Sequence, residues 1–476
     1  METEMMRPGL LLPEMLLAGG ALTALIGGSF TPRRRQWIIR GLTVAVLLAV
    51  IVTASLQLAR PATTAFNDSF TVDTATGVAR VLAAAGALLI LAIAADEIAG
   101  TARESETYAL LLFATAGAVL LAGATDLLVL AVGFLLASIP LYALIGLAMS
   151  AASAEASVKT YLLGALFGIL LLLGVSILSG LTGTTGYTQL ADRMPEAPQA
   201  AVTLAAVAAI AGLLFKAGAV PAHFWIPDAA QGSTALAATF VTTVPKIGAL
   251  IAVYRFVVML PDPTPWPVML AAVATASMTL GNLAAYWQAD PRRLLGWSTV
   301  SQVGFLLVPV VAAGRSDLAL PSLLVYLTGY VVTNIAAFAA TAALPAGRDL
   351  AHWRGVAGQR PWLAAALLVA LLGLVGTPPT AVFVGKLTTA TAAWDGGYAW
   401  LAVVVFMNTL ASLFYYLRWI MPTYREPAPT PPGSDHPPAD DRAGRRWSAR
   451  LAVTAAALSL AAGVVAGPLW DVAASP

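Results

Sequence analysis

Along the 476 residues, apolar stretches alternate with short polar breaks. The stretches run about 17 to 25 residues, the length an α-helix needs to cross the hydrocarbon of a bilayer. Fourteen are expected, at 9–30, 37–58, 75–98, 108–124, 125–148, 157–181, 200–220, 233–258, 266–288, 294–313, 318–343, 361–383, 395–420 and 449–471. Only the turn at 123–126 divides the fourth from the fifth. The pattern predicts an all-α polytopic membrane protein. Its first stretch reads as a spanning helix and not as a cleaved leader, because Glu2 and Glu4 precede the apolar run and the arginine cluster follows it.

Charge fixes an expected orientation. With fourteen spans, sixteen arginines fall on one side, among them Arg33, Arg34, Arg35, Arg292, Arg293 and Arg348, against six on the other. Positively charged loops stay in the cytoplasm, so both termini are expected outside it. Residues 421–448 are rich in Pro, Asp and Arg, lack an apolar period, and read as a cytoplasmic linker before a last helix at 449–476.

Composition narrows the function. The chain is 59% hydrophobic and only 11% charged, outside the range of soluble domains. It has no cysteine to ligate an iron–sulfur cluster, and its three histidines, His223, His352 and His436, are too scattered to suggest a haem or zinc site. No phosphate-binding glycine loop occurs, and the net charge of +2 gives no reason to expect a nucleic-acid partner. Arginine in place of lysine, with abundant alanine, suggests a GC-rich bacterial genome and hence a bacterial plasma membrane.

The four lysines run against that bias. Lys159, Lys216, Lys246 and Lys386 all lie in or at the edge of apolar segments, while the loops use arginine. An ammonium in hydrocarbon costs at least about 2.5 kcal/mol on insertion scales, which marks a functional site by default. Lysine can give up its proton when buried and arginine cannot, so the choice points to a proton or cation path. Lys246 is deep in its segment; Lys159, near a segment end, either belongs to the path or lifts its amine to the headgroup layer.

Two segments are interrupted. The seventh runs into Val220-Pro221 just after Lys216, and the twelfth contains Gly376-Thr377-Pro378-Pro379 before Lys386. They stand five segments apart, at matching places in two candidate five-helix units, segments 4–8 (108–258) and 9–13 (266–420), after three N-terminal segments (1–107). Paired interrupted helices in two halves are the best sequence pointer to an inverted-repeat transporter and its ion site.

The stretch Phe215-Lys216-Ala217-Gly218-Ala219-Val220-Pro221-Ala222-His223-Phe224-Trp225-Ile226-Pro227-Asp228 resembles the F-K-x-x-x-[VM]-P-x-H-x-W-x-P-D element of the antiporter-like subunits of respiratory complex I and of multisubunit cation/proton antiporters. Leu12-Pro13-Glu14, Ser138-Ile139-Pro140-Leu141-Tyr142, Lys159-Thr160-Tyr161 and Val244-Pro245-Lys246 are most similar to the N-type subunits of NADH:quinone oxidoreductase. The resemblance covers about residues 9–420. It implies a proton-translocating, non-redox subunit of the membrane arm, in contact with other membrane-arm subunits and lipid. Flavin, iron–sulfur clusters and quinone are then expected in partner subunits and none in this chain. It also implies a proton path through Lys216, Lys246 and Lys386, with Lys159 nearest a gating carboxylate on the fifth helix. His223 either extends the relay or only satisfies the broken backbone.

Three positions depart from the family's pattern. Leu135 stands where the fifth helix carries glutamate, Gln302 where the tenth often carries histidine, and Ser233-Thr234-Ala235-Leu236 where a proline-rich start to the eighth is usual. No carboxylate substitutes near Leu135: Asp126, nine residues upstream, falls on the opposite helical face, and Glu155 lies beyond the segment. The alternatives are a subunit of a cation/proton antiporter that runs without electron transfer, and a structural paralogue that does not pump.

Overall fold

The computed structural model describes residues 7–261, 266–426 and 445–475. The spanning helices are α1 (Leu12–Phe30), α2 (Trp37–Leu58), α3 (Thr74–Glu97), α4 (Glu104–Gly123), α5 (Leu127–Gly146), α6 (Ala151–Thr182), α7a (Gln199–Ala217), α8 (Ala235–Val258), α9 (Trp266–Tyr286), α10 (Pro291–Val311), α11 (Ala319–Ala343), α13 (Ala399–Tyr424) and α14 (Arg446–Val464). Thirteen helices among the described residues are long and apolar enough to cross a membrane. The fourteenth crossing is made of two halves, α12a (Pro361–Val375) and α12b (Ala381–Asp395). It therefore runs twelve residues past the expected end at 383. A short half-helix, α7b (Trp225–Gly232), likewise continues α7a beyond its break. Of the linker expected at 421–448, residues 427–444 lie outside the described residues.

Polar residues between the apolar runs start the helices. Asp126 caps α5 through Leu128 N (2.7 Å) and Val129 N (3.2 Å), which makes α4 and α5 two helices despite the three-residue turn. Ser150 and Ser153 form a reciprocal capping box at the start of α6, Thr234 caps α8 and Asp290 caps α10. The Ser150 box sets the start of α6 six residues before the expected one at 157. A two-stranded hairpin, Thr63–Ala65 with Phe70–Val72, closes the loop between α2 and α3.

Helices α4–α8 and α9–α13 repeat one plan: a close opening pair, a long third helix, a broken fourth and a closing fifth. Five is odd, so the second unit enters the membrane from the opposite side. The opening pairs touch through small residues, as apolar helices in lipid do. Gly117 of α4 meets the backbone of Ala137 on α5, and Gly281 of α9 meets that of Ser301 on α10. Helix α8 is enclosed on all sides, with α10 and α11 nearly so, while α1, α2, α6, α13 and α14 turn most of their surface outward to the bilayer or neighbours.

Arginine is not confined to loops. Arg80, on α3, is fully buried and grips both oxygens of Glu14 on α1 at 2.8 Å. It also donates to Gln57 Oε1 (2.6 Å) and Leu10 O (3.0 Å), pinning the three N-terminal helices together. Arg80 is one of the six arginines counted on the non-cytoplasmic side, and it escapes notice as a buried residue because a single arginine two turns inside a helix leaves the apolar average intact.

Candidate functional site

Each break frees backbone groups at membrane depth, where they must find protein partners. Helix α7a ends at Gly218 with φ +90°, and a side chain there would strike Ile226. Beyond it, Val220 N donates to Ser277 Oγ of α9 (3.0 Å), and Trp225 Nε1 reaches back to Phe215 O (3.3 Å). Helix α12a ends likewise at Gly376, φ +91°. Its last carbonyls are taken by side chains: Thr377 Oγ1 donates to Leu372 O (3.0 Å), Gln302 Nε2 to Leu374 O (2.8 Å), and Lys386 Nζ to Leu374 O (3.2 Å) and Val375 O (2.9 Å).

Three of the four lysines converge on these breaks, all buried. Lys216 Nζ donates to Ala137 O and to Ser138 Oγ (3.1 Å), in the turn of α5 that Pro140 interrupts. Lys246, on the enclosed α8, lies with Nζ 4.6 Å from the centre of the Trp225 ring and beside Gly218. Among the described residues it has no hydrogen-bond acceptor. Lys386 Nζ stands 3.9 Å from the Phe305 ring centre in addition to its two carbonyls. The amines are thus held by carbonyls, a hydroxyl and ring faces, without a carboxylate among the described residues.

Hydroxyls and two amides, Asn334 and Gln302, occupy the space between Lys246 and Lys386. Thr242, one turn before Lys246, accepts from the Tyr330 hydroxyl through its carbonyl (2.6 Å) and from Asn334 Nδ2 through Oγ1 (3.1 Å). Tyr330 also reaches Thr299 Oγ1 (3.3 Å). One turn earlier on α11, Tyr326 donates to Gln302 Oε1 (2.6 Å), and Gln302 shares Leu374 O with Lys386. Gln302 thus stands between Tyr326 and the Leu374 carbonyl that Lys386 also reaches, as a hydrogen-bonding group that does not titrate. The tyrosines were missed, although their spacing on an apolar helix, Tyr326-Leu327-Thr328-Gly329-Tyr330, puts both hydroxyls on one face.

Lys159 lies apart. Its side chain is 45% exposed and pairs with Glu155 (2.6 Å) and Asp228 (2.9 Å). Two carboxylates outside α5 stand beside it: α6 begins early enough to carry Glu155 one turn before Lys159, and the fold brings Asp228 in from α7b. The other oxygen of Asp228 binds Arg293 of α10 (2.6 Å), which also holds Gln231 (3.0 Å). Asp228 belongs to the W-x-P-D run quoted above, and that was the available signal. Leu135 faces outward on α5, 41% exposed, while Ala137 and Ser138 face Lys216. His223 is buried against Phe224 and Trp297, with ring centres 4.3 and 5.2 Å away, and its Nδ1 has no partner among the described residues. Its ring is placed toward α10.

Comparison with known proteins bears on the family and the fold. Residues 124–412 match the family model described as NADH:quinone oxidoreductase/Mrp antiporter, transmembrane. The protein named NADH-quinone oxidoreductase subunit N from Mycobacterium sp. (strain JLS) is 63% identical over 468 residues, 98% of each chain. A chain of respiratory complex I from Thermus thermophilus with bound aureothin superposes with a TM-score of 0.82 at 29% identity, over 98% of this chain and all of that one. A chain of the Mrp complex from Dietzia sp. DQ12-45-1b shares the fold, with a TM-score of 0.83 at 23% identity over 97% of this chain and 96% of its own.

Proposed function

The chain belongs to the NADH:quinone oxidoreductase/Mrp antiporter transmembrane family, and from that premise we propose that it moves protons as the N-type membrane-arm subunit of an NADH:quinone oxidoreductase. The observation that carries the reading is the set of three buried lysines gathered at the two helix breaks: Lys216 at the end of α7a, Lys246 on α8 beside that break, and Lys386 on α12b after the second. Each amine can take up a proton and pass it on. A proton received at Lys216 passes to Lys246 across the α7a break, then along the hydroxyls of α10 and α11 toward Lys386.

The driving energy comes from elsewhere. Membership of this family implies that NADH oxidation, flavin, clusters and quinone belong to partner subunits, and the chain has no cysteine with which to ligate a cluster. The arginine asymmetry supports both termini lying outside the cytoplasm of a bacterial plasma membrane. The high identity to a subunit N favours this reading over an antiporter without electron transfer, whose shared fold is equally compatible with either. With Leu135 in place of a helix α5 carboxylate, the first lysine works without an anion beside it.

Lys246→Ala in the assembled complex tests the proposal. Inverted membrane vesicles should keep NADH oxidation and lose part of the protons taken up per NADH. An unchanged ratio would leave this chain a scaffold, and a sodium-dependent growth defect on deletion would favour the antiporter.

A further inference from the structure

Helix α10 touches both breaks. At its start, Arg293 binds Asp228 of α7b at 2.6 Å, and Trp297, one turn on, packs against His223 with ring centres 5.2 Å apart. Between them Gly296 lets Pro227 lie directly on the helix; a methyl there would meet Pro227 Cα. About 13 and 18 Å further along the axis, at 1.5 Å per residue, Gln302 holds Leu374 O of α12a and Phe305 faces Lys386. One rigid helix from the second repeat therefore grips the first repeat's broken helix at one end and its own at the other.

Helix α7b carries that grip to the lysines. Asp228 and Trp225 are three residues apart and share a face of the half-helix. Trp225 lies under Lys246 Nζ and donates to Phe215 O, the residue before Lys216. The place of Asp228 thus sets the place of the ring against Lys246.

We propose that α10 couples the two broken helices, and that Asp228 and Arg293 are positioning residues whose ion pair fixes α7b, and with it Trp225, against Lys246. This rests on the proton-moving function proposed above. It adds two charged residues and a mechanical link to that path, and it replaces the missing α5 carboxylate with one that acts through position.

The test uses the whole complex in inverted vesicles, reading NADH oxidation and the quench of a pH-sensitive dye per NADH oxidised. Asp228→Asn and Arg293→Gln should each lower the ratio to that of Lys246→Ala, with NADH oxidation and assembly retained. The double variant should fall no lower, and Asp228→Glu and Arg293→Lys should regain most of the loss. A wild-type ratio in Asp228→Asn, where Lys246→Ala is impaired, overturns the coupling alone; an unimpaired Lys246→Ala overturns the function beneath it. If the neutral variants do not assemble, Gly296→Ala decides, since it leaves every charge in place and wedges a methyl between α10 and Pro227. A lowered ratio there supports the strut, and a wild-type ratio overturns it.

Discussion

Replacing Gln302 with leucine removes a polar group of similar size from the centre of the molecule. Gln302 is fully buried, accepts from the Tyr326 hydroxyl at 2.6 Å and donates to Leu374 O at 2.8 Å. In Gln302→Leu, Leu374 O still has Lys386 Nζ at 3.2 Å, but Tyr326 loses its acceptor. A buried hydroxyl left unpaired costs about 1–3 kcal/mol, roughly 5- to 150-fold in an equilibrium at 1.4 kcal/mol per tenfold. Removing the donor as well should reverse most of this, because replacing both partners of a buried hydrogen bond by apolar groups is nearly neutral. The assay is the fraction of the chain that stays in the detergent-purified complex after graded heating, followed on native gels. Gln302→Leu should dissociate at lower temperature than wild type, and Gln302→Leu with Tyr326→Phe should recover at least half of the loss. A double variant more labile than Gln302→Leu would refute the reasoning, since simple additive damage would then account for both.

Two further outcomes follow from packing. Glu14→Gln strands the buried Arg80 guanidinium and should cost about 3–5 kcal/mol, seen as less chain in the membrane by immunoblot; replacing both residues with methionine should restore much of it. Gly248→Ala would place a methyl on the Ala118 carbonyl of α4, and overpacking of this kind costs about 1–3 kcal/mol; normal yield of assembled complex would show that α4 and α8 are less closely apposed than described.

Much of the architecture was legible in the chain itself. The apolar runs located the spans because a helix in lipid must be apolar over a fixed length whatever it packs against. Proline located the first break, and glycine with proline the second; at each the helix ends on a glycine, Gly218 or Gly376, whose backbone angles other residues resist. The lysines within those segments stood out by chemistry alone, and Lys216, Lys246 and Lys386 are buried as expected. The motif around Lys216 carried the family.

What the chain could not show is which group faces which. Lys159 and Asp228 are 69 residues apart, Arg293 and Asp228 are 65 apart, and Arg80 and Glu14 are 66 apart. No local pattern sets such pairs. They depend on how closely two helices approach and on the rotation of each about its axis, which the small residues at their contacts decide. Thus Leu135 could be recognised as a missing carboxylate from sequence, while only the packing of α5 shows it facing outward and Ala137 and Ser138 facing Lys216. Gln302 likewise read as a lost histidine until α11 and α12a placed a tyrosine hydroxyl and a freed carbonyl on either side of it. Composition and periodicity determined that the chain spans a membrane and where its charges and breaks lie; tertiary packing alone decided the partners of those charges, because in hydrocarbon a polar group is satisfied only by what the neighbouring helix brings within reach.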